Sequence, residues 1–271
     1  MFVVKVPGVN GFGKTAGCRG AGDILIDSLK EIHGNEKGSL IDVKMIDFEE
    51  IHLDNTNLEI TQKLIYENAL EIFDEKPKTI FLGGDHFATF SLVRAFFEHC
   101  KRGEKDFCLI LFDSGPDCRE EKSGEKGIYP SNKNWLRYLI EAGFPSENIF
   151  LAGIRNYSPS ELAFLKKNRI KFLGVNAFLE NLEDSCDILM EFAKDKETYI
   201  SIDLSVIDPA FAPGVSEISP GGLTSREFIY LVQRLNLIRK IRAVDIVELN
   251  SDTDFNKMTS KLGAKILSEF L

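Results

Sequence analysis

The residues best suited to chemistry stand where apolar runs stop. Thr79 to Leu82 runs into Gly83-Gly84-Asp85-His86, Cys108 to Phe112 ends at Asp113 with Asp117 beyond it, Thr198 to Ile202 ends at Asp203, and the run from Ile241 reaches Glu248. A carboxylate at the end of a buried run is costly unless a cation or several donors satisfy it. Singly, each of these acids reads as a helix cap or a solvated loop residue. Together with an imidazole at one edge, they point to a bound metal or a cationic substrate.

Such residues converge only if the elements behind them line up. Runs rich in Val, Ile, Leu and Phe recur at Phe2 to Val6, Ile41 to Ile46, Thr79 to Leu82, Cys108 to Phe112, Ile149 to Ala152, Ile170 to Gly174, Thr198 to Ile202 and Ile241 to Leu249. Most are continuous rather than alternating, as strands covered on both faces are. Helix-like stretches lie between them, at Asp23 to His33, Leu58 to Phe73, Thr89 to His99, Asn134 to Ala142, Pro159 to Lys167, Cys186 to Lys194 and Ser225 to Leu235. Two of these open on a capping signal, Ser158-Pro159-Ser160-Glu161 and Thr224-Ser225-Arg226-Glu227, in which the hydroxyl and the glutamate satisfy the first free amides. The alternation predicts an α/β fold, a mainly parallel sheet with helices on both faces. Ligands of such sheets gather beyond the carboxyl ends of the strands.

Composition narrows the classes. With 271 residues, the chain is near the upper limit for one hydrophobic core, and residues 1–271 are read as one domain. The 33 Lys and Arg against 42 Asp and Glu leave a net charge of −9 and no basic stripe, which argues against nucleic acid as a partner. No apolar run reaches the ~20 residues of a membrane helix, so no membrane partner is expected. The opening MFVVKVPGVNG is unlike a secretory or transit peptide. Five cysteines, odd in number and without C-x-x-C spacing, argue against a disulfide framework or a zinc ribbon. A cytoplasmic location fits best.

Gly8-Val9-Asn10-Gly11-Phe12-Gly13-Lys14-Thr15 satisfies the phosphate-loop pattern directly after a candidate strand. A phosphate loop must open a helix whose amides face the phosphates. Here Ala16-Gly17-Cys18-Arg19-Gly20-Ala21-Gly22 follows, with glycines where that helix should begin, so a loop above the sheet is the preferred reading. A nucleotide-dependent enzyme using Lys14 is the alternative.

Several segments resemble signatures of the ureohydrolases, the arginase and agmatinase superfamily. They are GGDH at Gly83 to His86, Ser201-Ile202-Asp203 with Asp208-Pro209-Ala210-Phe211-Ala212-Pro213-Gly214 and Pro220-Gly221-Gly222-Leu223-Thr224, and Asp245-Ile246-Val247-Glu248-Leu249-Asn250. Gly153-Ile154-Arg155 and Gly17-Cys18-Arg19-Gly20 add to the likeness, which runs nearly end to end. The resemblance implies a three-layer α/β/α fold around an eight-stranded, mainly parallel sheet and a two-manganese centre. It further implies hydrolysis of a C–N bond in a small guanidino or amidino ligand, and a homo-oligomer, a trimer or hexamer.

The departures concern the metals. Where the family has D-A-H-x-D, this chain has Asp113-Ser114-Gly115-Pro116-Asp117; where it has S-x-D-x-D, this chain has Ser201-Ile202-Asp203-Leu204-Ser205. By the family's roles, Gly115 and Ser205 stand in the places of two ligands of one metal, while His86, Asp113, Asp117 and Asp203 match the protein ligands of the other. Ser131-Asn132-Lys133 resembles the family's S-H-G, with Asn132 in the place of a histidine associated with proton shuttling. Three carboxylates brought together repel by about 4 kcal/mol per pair roughly 4 Å apart at an effective dielectric near 20, so without a cation at least one takes up a proton. One imidazole and three carboxylates suit one Mn²⁺, with Zn²⁺ or Fe²⁺ as alternatives.

The expectation is therefore a ureohydrolase-like hydrolase with one metal and reduced or altered activity. Asp117 and Asp203 are its catalytic residues, with Asp117 guiding the proton. Glu248 receives the substrate cation, with Asn132 beside it. The alternative is a non-catalytic member that keeps the fold as a ligand-binding or assembly subunit. His33, His52 and His99 fit helix-end, exposed and packed positions. Cys118 abuts Asp117, but a nearby anionic cluster raises its pKa and argues against a nucleophile.

Overall fold

The computed structural model describes residues 1–11, 13–120 and 130–271. The apolar runs form strands β1 (Phe2–Val6), β2 (Asp47–Glu50), β3 (Thr79–Gly83), β4 (Phe107–Phe112), β5 (Ile149–Ile154), β6 (Lys171–Gly174), β7 (Glu197–Asp203) and β8 (Ile241–Val247). They make one eight-stranded sheet in the order β2-β1-β3-β8-β7-β4-β5-β6, with every strand pairing parallel. The last two strands are inserted between β3 and β4, so the four runs that end in candidate residues lie side by side at the centre.

Helices α1 (Ala21–Leu29), α2 (Leu58–Glu75), α3 (His86–Arg102), α4 (Trp135–Glu141), α5 (Pro159–Lys167), α6 (Val175–Glu180), α7 (Leu182–Ala193), α8 (Ser225–Leu235) and α9 (Met258–Phe270) cover both faces. Strand periodicity sorts the core into two layers. Ile80, Leu82, Ile110 and Phe112 point to one face, with Leu25 of α1, Phe228 of α8 and Leu267 of α9. Phe81, Leu109 and Leu111 point to the other, with Phe73 of α2, Phe96 of α3 and Leu136 of α4. Each such side chain removed from water contributes about 1.5–3 kcal/mol. The expected three-layer α/β/α architecture is the one observed.

The capping signals place α5 and α8 to the residue. In both, the hydroxyl accepts from the third helical amide and the glutamate answers the cap residue's own amide. Other bounds need correction. The expected strand Ile41 to Ile46 is a loop containing a 3-10 turn, Val43–Met45, and the strand is Asp47–Glu50. Its sequence, DFEE, is an exposed edge in which charge is tolerated and guards against further pairing. Helix α3 begins at His86 rather than Thr89, because Asp85 caps it by accepting from the Phe87 amide at 3.0 Å. Helix α7 starts at Leu182 rather than Cys186, capped by Asn181. Strand β8 stops at Val247, since Glu248 adopts φ +66°. Helices α6 and α9 were not anticipated.

Candidate metal centre

Four parallel strands bring their carboxyl ends to one buried crevice. β3 leads through Gly83-Gly84 to His86, the first residue of α3, and β4 ends one residue before Asp113. Asp203 closes β7, and Glu248 follows β8. The turn after β3 is tight. A Cβ on Gly84 would lie 2.2 Å from the Gly8 carbonyl oxygen, so only glycine lets the first loop and the GGDH turn meet. The Gly84 carbonyl in turn accepts from the Glu248 amide at 2.9 Å.

His86, Asp113, Asp117 and Asp203 are all buried, and the structure brings them together. His86 Nδ1 lies 2.9 Å from Asp117 Oδ2, 3.4 Å from Asp113 Oδ2 and 3.7 Å from Asp203 Oδ2. His86, Asp113 and Asp203 each offer a ligand atom, all within 4.8 Å of one another. Asp117 joins them through Nδ1 and is held at φ +46°, a left-handed conformation that costs an aspartate energy and recurs at functional sites. The opposite ring nitrogen, Nε2, is 3.3 Å from Ser201 Oγ, whose proton goes to Asp245 Oδ1 at 2.6 Å. Ser201 can therefore only accept from Nε2, which fixes that nitrogen as an N–H and leaves Nδ1 facing the carboxylates. Asp245, also buried, takes further hydrogen bonds from Thr89 and Tyr199, each at 2.9 Å.

The charges behave as a crowded anionic cluster should. Burial, then the Asp113 charge, push Asp117 up to about 6 and Asp203 well above the usual carboxylate range. Burial also opposes ionisation of Asp113, but its pairing with His86 outweighs this and holds it below that range. His86 is the converse: burial disfavours its charge, and its close pairing with the carboxylates of Asp113 and Asp117 holds it well above the ordinary histidine value. Buried Asp85, beside Glu248, rises to about 7 for the same two reasons, burial first.

Asp113 Oδ2 is buried and accepts no hydrogen bond. An orphaned buried acceptor beside an imidazole and two more carboxylates is what a divalent cation satisfies, so these residues fit one metal ion. The oxygens on the far side are already taken. Asp113 Oδ1 accepts from the Gly115 amide at 3.0 Å and Ser205 Oγ at 3.2 Å, and Asp203 Oδ1 accepts from the Ser205 amide at 2.6 Å. Ser114 and Ser205 pair their hydroxyls at 3.0 Å. Protein donors thus satisfy the side of the cluster where the sequence lacks two metal-ligand matches. A Cβ on Gly115 would meet the Asn156 carbonyl oxygen at 3.0 Å, tighter than an ordinary contact.

Glu248 Oε1 accepts from the His86 amide at 3.2 Å and from Asn132 Nδ2 at 3.1 Å, so both expected substrate-side residues border the cluster and touch each other. Sequence reasoning missed two side chains here. Trp135 Nε1 donates to Asp117 Oδ2 at 3.1 Å. Lys133 Nζ lies 3.6 Å from Asp117 Oδ1 and 3.1 Å from Glu217 Oε2, with 19% of its side chain exposed. Burial disfavours the Lys133 charge, but Asp117, Asp113, Glu248 and Asp203 outweigh it and hold the ammonium well above the usual lysine range. The one signal for Lys133 was its place after Asn132, in a segment that departs from the S-H-G pattern it resembles.

The phosphate-loop alternative finds no support. Thr15 Oγ1 is spent on Asp85 Oδ2 at 2.6 Å, and the chain continues into a short 3-10 segment, Ala16–Gly20, rather than into the helix that a phosphate loop opens. Cys118 is packed, its thiol pushed up by burial first and then by Glu161 and Asp117, and His99 pairs with Asp74 at 2.8 Å. Of the loop Arg119 to Asn134, residues 121–129 lie outside the described residues.

Comparison with known proteins is consistent across the chain. The Arginase family model matches residues 2–271. A formimidoylglutamase of Halalkalibacterium halodurans is 28% identical over 246 residues, covering 86% of this chain and 73% of its own. An agmatinase of Bacillus subtilis is 27% identical over 233 residues, covering 86% and 76%. Among solved structures, the proclavaminate amidino hydrolase of Streptomyces clavuligerus superposes with a TM-score of 0.86 at 22% identity, over 99% of this chain and 89% of that one.

Proposed function

Since the chain belongs to the arginase family, we propose that it is a one-metal ureohydrolase-type enzyme that hydrolyses a C–N bond of a small guanidino or amidino compound. The observation that carries this reading is the buried cluster of His86, Asp113, Asp117 and Asp203 with the Asp113 Oδ2 atom left without a donor. These four residues would hold the ion, which we take to be Mn²⁺, with Zn²⁺ or Fe²⁺ as alternatives. When bound, the ion supplies a Lewis acid that acidifies and orients a water. Asp117 Oδ1, the oxygen not engaged by His86 and Trp135, receives the proton as water adds to the amidino carbon, and returns it to the departing amine as the C–N bond breaks. Asp203 completes the anionic wall. Glu248 pairs with the substrate cation, a charge-assisted contact, while Asn132 orients the Glu248 carboxylate. Burial of these groups excludes bulk water from the reacting centre.

Residues 1–271 are read as one domain, supported by the two core layers that run through the sheet. No helix among the described residues is long and apolar enough to cross a membrane; a cytoplasmic homo-oligomer, trimer or hexamer, is part of the proposal. The test is urea or amine release after purification in manganese, over arginine, agmatine and formimino or guanidino acids. Product with one substrate that disappears in Asp117→Asn supports the enzyme.

A second reading, a binding or assembly member without turnover, is favoured by the donors that close the far side of Asp113 and Asp203. A protein that takes up its ion but yields no product with any of these substrates selects it. The combined restoration Gly115→His, Ser205→Asp and Asn132→His then reports whether the pocket is otherwise competent, although the Asn156 carbonyl must shift to admit the new side chain at 115.

A further inference from the structure

Lys133 stands in a built position that the proposed reaction does not use. Its amide donates to Ser131 Oγ at 3.3 Å, its carbonyl accepts from the Arg119 amide at 3.0 Å, and three residues on the Leu136 amide donates to the Asp117 carbonyl at 3.2 Å. The strand-end loop that carries Asp117 and the segment that carries Lys133 are thus stitched together, and the lysine side chain runs inward to the cluster, with Nζ 3.6 Å from Asp117 Oδ1. Glu217 Oε2, 3.1 Å away, is its only other close ion-pair partner among the described residues.

We infer that the Lys133 ammonium is a resident cation of the carboxylate cluster, supplying the positive charge that a second metal ion would otherwise bring and limiting the site to one divalent ion. The inference rests on the one-metal reading above and deepens it. Three carboxylates balance one divalent ion together with one ammonium. A second divalent ion would leave that balance strongly positive, and it would have to displace the Gly115 and Ser205 donors from Asp113 and Asp203. The ammonium also gives Asp117 a counter-charge that does not depend on metal supply. Lys133 is a positioning residue in this account: it sets the charge and ion count of the site and acts through Asp117, not on the substrate.

The experiment compares wild type with Lys133→Gln, Lys133→Arg and Arg119→Gln, the last removing an exposed cation that pairs with the same Glu217 at 3.7 Å. Mn²⁺ affinity and stoichiometry are read by calorimetric titration, and melting temperature in chelator. Removing a like charge from beside the ion should tighten Mn²⁺ binding in Lys133→Gln at least tenfold (about 1.4 kcal/mol). The same change should lower its melting temperature in chelator by about 4 °C or more, with Lys133→Arg and Arg119→Gln close to wild type. Equal affinities within twofold, looser binding in Lys133→Gln, or an equal effect from Arg119→Gln would overturn the inference. If Lys133→Gln is insoluble in chelator, rescue by Mn²⁺ supports the inference and failure of rescue opposes it. If wild type binds no ion at all, the one-metal reading fails on its own, and the chelator melting temperatures alone decide whether Lys133 is the counter-charge.

Discussion

Asp113→Asn separates a metal ligand from an ordinary buried acid, because the structure gives its two carboxylate oxygens different tasks. Oδ1 takes hydrogen bonds from Gly115 and Ser205, while Oδ2 faces His86 Nδ1 at 3.4 Å with no donor. At an effective dielectric near 20, the attraction across that 3.4 Å is about 5 kcal/mol. Repulsion between two ionised carboxylates whose ligand atoms lie within 4.8 Å is about 3.5 kcal/mol or more, which is part of what keeps Asp203 protonated beside Asp113. The asparagine variant loses both, and Asp203, 3.7 Å from the same nitrogen, takes over the pairing. In chelator the variant should therefore melt within a few degrees of wild type. Saturation is different. An ion present at a hundred times its dissociation constant stabilises wild type by about 2.7 kcal/mol, a rise of about 5–10 °C for a chain of this size, and that rise should vanish in the variant. Differential scanning calorimetry with and without Mn²⁺ reads both. A variant that keeps the full Mn²⁺-dependent rise would refute the assignment of Asp113 as a ligand, and one that collapses in chelator would refute the electrostatic balance.

Other outcomes follow from a buried lysine, a helix cap and the carboxylate that borders the cluster. Burial lowers Lys78 from its ordinary 10.5 to about 8, so between those values the unfolded chain binds the extra proton and stability conferred at this position rises with pH. Relative to wild type, Lys78→Met should therefore be most favourable below about pH 8 and lose that advantage towards pH 10.5; a difference that does not change with pH rejects the assignment. Thr224→Ala removes the hydroxyl half of a complete capping box at α8 and should cost about 1 kcal/mol, read as a denaturant midpoint shift at unchanged slope. Glu248→Gln should raise KM for any guanidinium substrate at least tenfold with a smaller change in kcat, since the lost pairing is with the substrate's charge; a change confined to kcat would move Glu248 out of the binding role.

Much of this architecture was legible in the sequence because the sheet is buried on both faces. Continuous apolar runs mark such strands, and the residues just after them mark the crevice, so His86, Asp113, Asp203 and Glu248 could be placed from their positions alone. The capping boxes at Ser158 and Thr224 were legible because the signal is local. The failures share a cause as well. Strand β2 is a charged edge whose stability comes from pairing with β1, so an apolar-run criterion slid onto the neighbouring Ile41 to Ile46. Helix α9 packs against α1 and α8, and its first amides are held by Asp254, four residues before the helix, a spacing that the usual capping pattern does not advertise. Lys133 sits in a loop, where spacing carries no period, and only three-dimensional proximity reveals its ammonium 3.6 Å from Asp117 Oδ1.

The central claim is that the carboxylate cluster holds a single divalent ion, and anomalous scattering from a crystal grown with manganese tests it most directly. The account predicts one peak per chain, bounded by His86 Nδ1 and the carboxylates of Asp113, Asp117 and Asp203, with Lys133 Nζ beside Asp117. No peak at full manganese saturation, or a second peak between Asp113 Oδ1 and Asp203 Oδ1 with the Ser205 and Gly115 donors displaced, would contradict it.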